Sequence, residues 1–137
     1  MPRVLALDYG LARTGLAVTD ELQIIASPLD TVATPKLWDF LTQYFAKEQV
    51  EKVVIGQAIR ADMSLSALEK PIEALIKQLQ TQYPNIAIDR QDERLTSIIA
   101  RQTIQQSVHK KSQRQDKNLV DKISATIILQ HYLKFNI

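Results

Sequence analysis

The chain has 137 residues, a formal net charge of +2 and 45% hydrophobic residues, which is typical of a single folded domain spanning residues 1–137. It contains no cysteine and only two histidines, so disulfides, thiol nucleophiles and cysteine-rich zinc sites are excluded, and a metal would have to be held by oxygen. No apolar run reaches the ~18 residues of a membrane span, and the N-terminus lacks the features of a signal peptide. We therefore expect a cytoplasmic protein without a membrane partner.

The first third of the sequence predicts three strands and a helix. Strands are expected over residues 3–8 and 15–19, and the tight connection between them can only form a hairpin. A third strand is expected within residues 24–32. Pro35 then opens a helical pattern, whose apolar positions are Leu37, Phe40, Leu41, Tyr44 and Phe45.

The remainder of the sequence predicts alternating strands and helices. The apolar run of residues 53–55, ending at Gly56, is typical of a parallel strand buried on both faces. It is followed by a predicted helix over residues 65–82, a strand over 86–88, a helix from about 94 to 108 and a final helix over about 118–133. This order predicts an α/β fold, in which a three-stranded meander and β-α-β units form a mixed five-stranded sheet flanked by helices.

The positive charge is concentrated in one segment. Residues 94–117 have a charge of +5 and the rest of the chain −3. The cations of this segment are Arg94, Arg101, Lys110, Lys111, Arg114 and Lys117. Local cation density favours phosphate binding, but a solvated linker has a similar composition, so the segment alone does not decide between nucleic-acid contact and a linker.

Two groups of acids follow predicted strands. Asp8 ends the first strand, at a position where open α/β sheets bind ligands, although it could equally begin a turn near Gly10. Asp92 and Glu93 follow the strand over residues 86–88 and precede a helix, where helix capping is the alternative explanation. Both groups are thus expected at carboxyl ends of strands.

A third acid, Asp121, lies in the first turn of the predicted last helix. Ala125, Ile128 and Tyr132 follow it at spacings that share its helix face, whereas the polar side carries Lys122, Thr126 and Gln130. Asp121 is therefore expected to face the protein, where a carboxylate needs a partner. That partner could be a cation shared with Asp8 and Glu93, or a salt bridge to Arg94. Three converging carboxylates suit Mg²⁺ or Mn²⁺.

The sequence resembles the YqgF (RuvX) family. The resemblance covers the whole chain in order, and its most specific element is the Asp-Glu-Arg-Leu-Thr run that begins at Asp92. The residues that carry it are 3–10 (RVLALDYG), 13–15 (RTG), 53–56 (VVIG), 92–97 (DERLTS) and 120–121 (VD).

The resemblance implies a ribonuclease H-like fold and a nuclease, acting either in maturation of the pre-16S rRNA end or as a Holliday junction resolvase. It implies catalytic acids at Asp8, Glu93 and Asp121. Asp92 ranks below Glu93 as a ligand, because adjacent residues in extended chain face opposite ways. Residues 57–64 depart from the family pattern of Leu-Pro and a later Asp-Gly, so substrate contacts of that loop are not carried over.

These residues suggest a two-metal mechanism as a hypothesis. Two Mg²⁺ ions roughly 3.5–4 Å apart, bridged by Asp8, would activate a water and stabilise the leaving 3′-oxygen. Arg13 and Arg94 could hold neighbouring phosphates, although a structural role is as plausible for each. The remaining cations predicted to contact nucleic acid are Lys110, Lys111, Arg114 and Lys117.

The sequence leaves two alternatives to a nuclease. The run from Asp8 to Gly15 also resembles the phosphate-binding hairpin of actin-like ATPases and sugar kinases, but those proteins hold nucleotide between two such domains and 137 residues make only one. A non-catalytic module that binds RNA with the same fold is the second rival, and the sequence alone does not separate it from an enzyme.

Overall fold

The computed structural model describes residues 2–57, 67–92 and 117–136, which form a five-stranded sheet with helices on both faces. The predicted helix over residues 94–108 lies outside the described residues. The strands are β1 Arg3–Asp8, β2 Arg13–Thr19, β3 Ala26–Ala33, β4 Val50–Gln57 and β5 Ala87–Asp92. The helices are α1 Leu37–Lys47, preceded by a 3-10 turn at Thr34–Lys36, then α2 Glu69–Gln82 and α3 Lys117–Asn136.

The strands lie in the order β3-β2-β1-β4-β5. Strands β1, β2 and β3 form an antiparallel meander, whereas β1, β4 and β5 are parallel, which confirms the predicted mixed sheet. We call the end where β1, β4 and β5 finish, and β2 begins, the carboxyl end of the sheet. The opposite end, where β2 leads into β3, is the amino end.

Strand alternation divides the core between the two faces of the sheet. Leu5 and Leu7 pack with the buried residues of α1 and α2, while Val4 and Ala6 pack with those of α3. In the central strand β4, Val53 and Ile55 face α1 and α2 and Val54 faces α3, and all three are fully buried. This is why the strand is a continuous apolar run.

Helix α3 presents the predicted apolar stripe to the sheet. Ala125, Ile128 and Tyr132 are buried, and Gln130 on the polar side is exposed. The helix begins at Lys117, so Asp121 is its fifth residue rather than a member of its first turn. Within the described part of the chain, no helix has both the length and the apolar composition that crossing a membrane requires.

Strand β5 is longer than the sequence predicts. It continues to Asp92 instead of ending at residue 88, so Asp92 is the last strand residue rather than part of a following loop. The sequence hides this extension because Asp89, Arg90 and Gln91 are polar. Two of them have side-chain partners on neighbouring helices, Asp89 with Tyr132 and Arg90 with Glu69.

Candidate active site at the carboxyl end of the sheet

Asp8 is the last residue of β1 and is half-buried at the carboxyl end of the sheet. Because Val4 and Ala6 face α3 and side chains alternate along a strand, Asp8 also leaves the sheet on the α3 face. The predicted strand-end position of this carboxylate is therefore present, and the register adds the face on which it lies.

The positions beside Asp8 on both neighbouring strands are glycines. Gly15 of β2 pairs directly with Asp8. On the other side, Leu7 pairs with Ile55, so the next residue of β4, Gly56, is level with Asp8. Neither neighbour has a side chain, and both glycines are buried.

The third glycine of the chain shapes the connection between β1 and β2. A Cβ on Gly10 would lie 2.5 Å from the backbone oxygen of Arg13, closer than real Cβ atoms come, so this turn requires glycine. The Thr34 hydroxyl donates to the Gly10 carbonyl at 2.5 Å, and it lies 3.0 Å from the buried Thr14 hydroxyl, which must therefore donate to Thr34. This chain of hydroxyls fixes the connection beside Asp8 against the start of α1.

Arg13 lies at the same end of the sheet as Asp8. It is half-buried, it begins β2, and it precedes Gly15 by two residues, so it shares the α3 face with Asp8. Of the cations predicted to contact phosphate, it is the one whose side chain the structure describes.

A polar network at the amino end sets the direction of α3. Lys52 Nζ donates to Tyr132 Oη at 2.6 Å, and Tyr132 Oη donates to Asp89 Oδ2 at 2.9 Å. Burial raises the pKa of Tyr132, and the hydrogen bond to Tyr132 raises the pKa of Lys52. The end of α3 is thus attached near the starts of β4 and β5.

The length of α3 determines how far Asp121 lies from this attachment. Asp121 precedes Tyr132 by eleven residues, or about 16 Å of helix. From the level of Lys52 to the level of Gly56 the sheet extends about 13 Å. The stretch of α3 from Tyr132 to Asp121 is therefore long enough to reach the level of Asp8.

On the opposite face, Arg90 and Glu69 join the ends of β4, β5 and α2. Both Arg90 terminal nitrogens contact Glu69 carboxylate oxygens at 2.8 Å. The Arg90 guanidinium also donates to the carbonyls of Ile55 and Gly56, each at 3.1 Å. A bidentate ion pair with two further backbone bonds holds the strand end beside Asp8 in one position.

Several predicted site residues lie outside the described residues, namely Glu93, Arg94, Lys110, Lys111 and Arg114. For Asp92, Lys117 and Asp121 the structure describes the backbone only. Among the residues with described side chains, no group of three or more histidine or acidic residues is close enough to hold a metal.

Sequence reasoning missed Gly15 and Gly56 as parts of the site, together with Arg90 and Glu69. Both glycines adjoin apolar runs in the sequence, but only the strand register reveals that both are neighbours of Asp8. Arg90 stands two residues before Asp92 within a polar run, which could have indicated an ion pair but not its partner 21 residues away.

The mixed sheet, the helices on both faces and the acid at the end of β1 define the ribonuclease H-like class of fold. Two solved structures share it. One is a Fowlpox virus resolvase in complex with Holliday junction DNA, with a TM-score of 0.59 and 10% identity over 96% of this chain and 97% of that one. The other is the T. thermophilus RuvC in complex with a Holliday junction substrate, with a TM-score of 0.53 and 14% identity over 99% and 97%.

The family model for RuvX, described as Holliday junction resolvase, matches residues 2–135, and the chain belongs to this family. Its relatives include proteins named "Putative pre-16S rRNA nuclease". One from Flavobacterium psychrophilum is 52% identical over 133 residues, covering 97% of each chain. One from Bacteroides fragilis is 46% identical over 134 residues, covering 98% of this chain and 97% of the relative.

Proposed function

We propose that this protein is a metal-dependent nuclease that hydrolyses phosphodiester bonds, with the pre-16S rRNA 5′ end as its substrate and residues 1–137 as one nuclease domain. The observation that carries the proposal is the placement of Asp8, a carboxylate at the carboxyl end of the sheet with glycines on both sides. A metal bound by Asp8 would therefore meet no side chain from either neighbouring strand at this level. Family membership supports a nuclease over an ATPase.

Glu93 and Asp121 are the proposed partners of Asp8. Along β5, Asp89 is level with Val54 and contacts α3 through Tyr132, so Asp89 and Gln91 belong to the α3 face. The same alternation, continued by two residues, would give Glu93 the face of Asp8 and Asp92 the opposite face. This supports ranking Glu93 above Asp92.

The donor set fits a hard divalent cation. The three acids offer carboxylate oxygens, and neither cysteine nor a histidine cluster accompanies them, which suits Mg²⁺ or Mn²⁺. Bound there, such a cation would lower the pKa of a water and offset charge on the phosphate. Asp8, Glu93 and Asp121 would hold it, and Arg13 and Arg94 would orient the phosphates on either side of the cleaved bond.

The proposed nucleic-acid surface combines this end of the sheet with the basic segment. Lys110, Lys111, Arg114 and Lys117 would contact the substrate backbone away from the acids. A four-way DNA junction is the second candidate substrate, favoured by the description of the family model. The rRNA end ranks first because the relatives named for it are 46–52% identical over nearly the whole chain.

Cleavage assays with two substrates test the proposal. A 5′-extended pre-16S RNA and a four-way DNA junction are each incubated with Mg²⁺ and wild-type protein, Asp8→Asn, or the control Asp39→Asn, which alters an exposed acid on α1. We expect RNA cleavage by wild type and control, and a loss of at least 100-fold in Asp8→Asn. Equal activity in Asp8→Asn would identify a contaminating nuclease and contradict the proposal.

Calorimetric titration with Mg²⁺ separates an enzyme from an RNA-binding module. We expect Asp121→Asn to weaken Mg²⁺ binding by at least tenfold and Asp39→Asn to leave it unchanged. Metal binding that does not depend on Asp121 would instead favour the non-catalytic module.

A further inference from the structure

A cluster of exposed apolar side chains lies at the amino end of the sheet, on the turn between β2 and β3. Leu22, Ile24 and Ile25 are 62%, 68% and 62% exposed, and they account for three of the four large exposed hydrophobics among the described residues. We call these three residues the turn surface. Together with Gln130 and Leu133 of α3 they line a groove of about 650 Å³. Single exposed apolar residues are ordinary, whereas a contiguous group beside a groove is typical of an interaction site.

Hydrogen bonds hold the turn surface in its exposed conformation. Asp20 Oδ1 accepts from the backbone N–H groups of Ile24 and Ile25 at 2.8 and 2.9 Å. Gln23 closes the turn by donating its N–H to the Asp20 carbonyl at 3.0 Å, and its side chain donates to the Pro2 carbonyl at 2.9 Å.

The turn also contains the one non-glycine residue with positive φ in the described part of the chain, Gln23 at 59°. This conformation is unfavourable for a side-chain-bearing residue and persists only where the surroundings impose it. The apolar side chains are thus held outward by a structured turn, so a partner would lose little free energy in ordering them.

Three carboxylates lie beside the turn surface, and Arg3 and Lys52 interact with two of them. Asp20 and Glu21 precede it in the chain, and Glu51 accepts a hydrogen bond from the Gln23 side chain. We call these three carboxylates the acidic rim. The backbone hydrogen bond from Ile25 is the main reason that the pKa of Asp20 is lowered, so this carboxylate stays ionised at neutral pH. Arg3 is close to Glu21, at 3.8 Å, but it also pairs with Glu48 at 3.3 Å.

Charge distinguishes between the possible occupants of this surface. Nucleic acid would be repelled by the acidic rim. A second copy of this chain in a two-fold contact would bring one acidic rim against another, and three side chains supply only part of the roughly 800 Å² that each partner buries in a stable interface. A protein segment in which lysine or arginine accompanies apolar side chains satisfies both the groove and the rim.

We propose that the turn surface and the acidic rim form a docking site for a basic, apolar segment of a partner protein. This inference goes beyond the proposed nuclease function. It assigns a protein partner to the amino end of the sheet, while the carboxyl end with Asp8 remains accessible to nucleic acid.

A peptide-binding experiment tests the apolar part of the proposal. The probe is a fluorescent synthetic peptide of lysine and leucine at amphipathic helical spacing, compared with a glutamate and leucine peptide of the same pattern, and binding is followed by anisotropy. We expect the lysine peptide alone to bind. Ile24→Ser with Ile25→Ser should weaken binding at least tenfold, and Leu11→Ser, which removes the 70% exposed leucine beyond the other end of the sheet, should not.

The charge part is tested in the same assay. Glu21→Lys with Glu51→Lys should weaken binding of the lysine peptide at least tenfold, whereas Glu73→Lys, on the exposed side of α2, should have little effect. Circular dichroism and thermal melting of every variant check that the fold is retained.

Several results would overturn the proposal. One is equal binding of both peptides, and another is binding that the Ile24 and Ile25 substitutions leave unchanged. Self-association of wild type in sedimentation that these substitutions abolish would assign the surface to a second copy instead. Weaker RNA binding by the same variant, with its fold intact, would assign it to nucleic acid.

Discussion

At the scale of single residues, the candidate site depends as much on missing side chains as on carboxylates. All three glycines of the chain lie around Asp8, with Gly10 in the following turn and Gly15 and Gly56 on the neighbouring strands. Glycine inside a strand weakens the strand because it packs no side chain and loses more backbone entropy on folding. Both positions are buried, and side-chain-free strand positions of this kind mark the close approach of a ligand or of another backbone.

Gly56→Ala tests this interpretation. The added methyl group would lie on the α3 face beside Asp8, so we expect cleavage to fall at least tenfold, equivalent to about 1.4 kcal/mol in the activation barrier. Because Gly56 is buried, the stability of the variant has to be measured beside its activity. Activity is measured by cleavage rate and stability by thermal melting.

Gly15→Ala, on the other side of Asp8, should behave in the same way. Full activity in both variants would mean that the space beside Asp8 is not used by substrate or metal.

Individual site residues were predictable to different extents. The strand-end position of Asp8 followed from the apolar run before it, because a charged residue after buried positions marks a strand end. The importance of Gly15 and Gly56 did not, because cross-strand neighbours depend on a register that no local pattern specifies.

At the scale of secondary-structure elements, Arg90 and Glu69 fix the relative positions of β4, β5 and α2. Glu69 is 7% exposed as a residue, and the Arg90 side chain is 22% exposed. Removing one partner of a pair so little exposed to water should lower the free energy of unfolding, because the other partner would remain as a poorly solvated charge.

A double-mutant cycle measures this coupling. We expect Arg90→Met and Glu69→Leu each to lower the free energy of unfolding by about 2 kcal/mol, and the double variant to lose less than the sum of the two. Urea denaturation provides the values. Glu48→Gln is the control, because its partner Arg3 is in a more exposed pair and surface pairs contribute at most about 1 kcal/mol. Strictly additive losses would show that Arg90 and Glu69 act independently.

The attachment of α3 through Tyr132 predicts a loss of stability at alkaline pH. The pKa values of Tyr132 and Lys52 are both raised, so the folded chain keeps these protons to higher pH than the unfolded chain. Their stabilisation is complete below about pH 10 and is lost as the pH rises through the folded-state values.

Tyr132→Phe removes the hydroxyl that joins Lys52 to Asp89. We expect it to lower the free energy of unfolding at neutral pH by about 1 kcal/mol and to reduce the further loss above pH 10. Chemical denaturation across the pH range measures both effects. If Tyr132→Phe lost as much stability above pH 10 as wild type, the alkaline loss would arise from other groups.

Elements with a strong apolar period were predictable, and the polar strand was not. Strand β4 and the buried stripe of α3 were recognised because their environment is uniform along their length. Strand β5 was predicted only in part, because the fold satisfies Asp89 and Arg90 with Tyr132 and Glu69, which are distant in sequence. Contacts between residues so far apart in the chain cannot be recognised from the local sequence pattern.

At the scale of the whole molecule, charge is strongly segregated. The segment of residues 94–117 has a charge of +5, while the remainder of the chain has −3 and includes the acidic rim. A nearly neutral chain can therefore attract phosphate at one place and repel it at another.

Salt dependence of RNA binding tests this segregation. We expect the logarithm of affinity to fall linearly with the logarithm of salt concentration, because bound cations are released from the RNA. Lys110→Ala with Lys111→Ala should reduce that slope by about 1.5 if both lysines contact phosphate. Filter binding over a range of salt concentrations measures it, with Lys70→Ala and Lys77→Ala on α2 as the matched control. A slope equal to that of wild type would remove both lysines from the interface.

The length of the strands has a geometric consequence for any partner. Strand β1 contains six residues, so the turn surface and Asp8 lie roughly 20 Å apart along the sheet. A partner docked at the amino end would hold Asp8 at a fixed distance from its own attachment point. For the proposed nuclease, that distance would limit which phosphodiester bond of a partner-bound RNA comes to Asp8, independently of the nucleotide sequence around it.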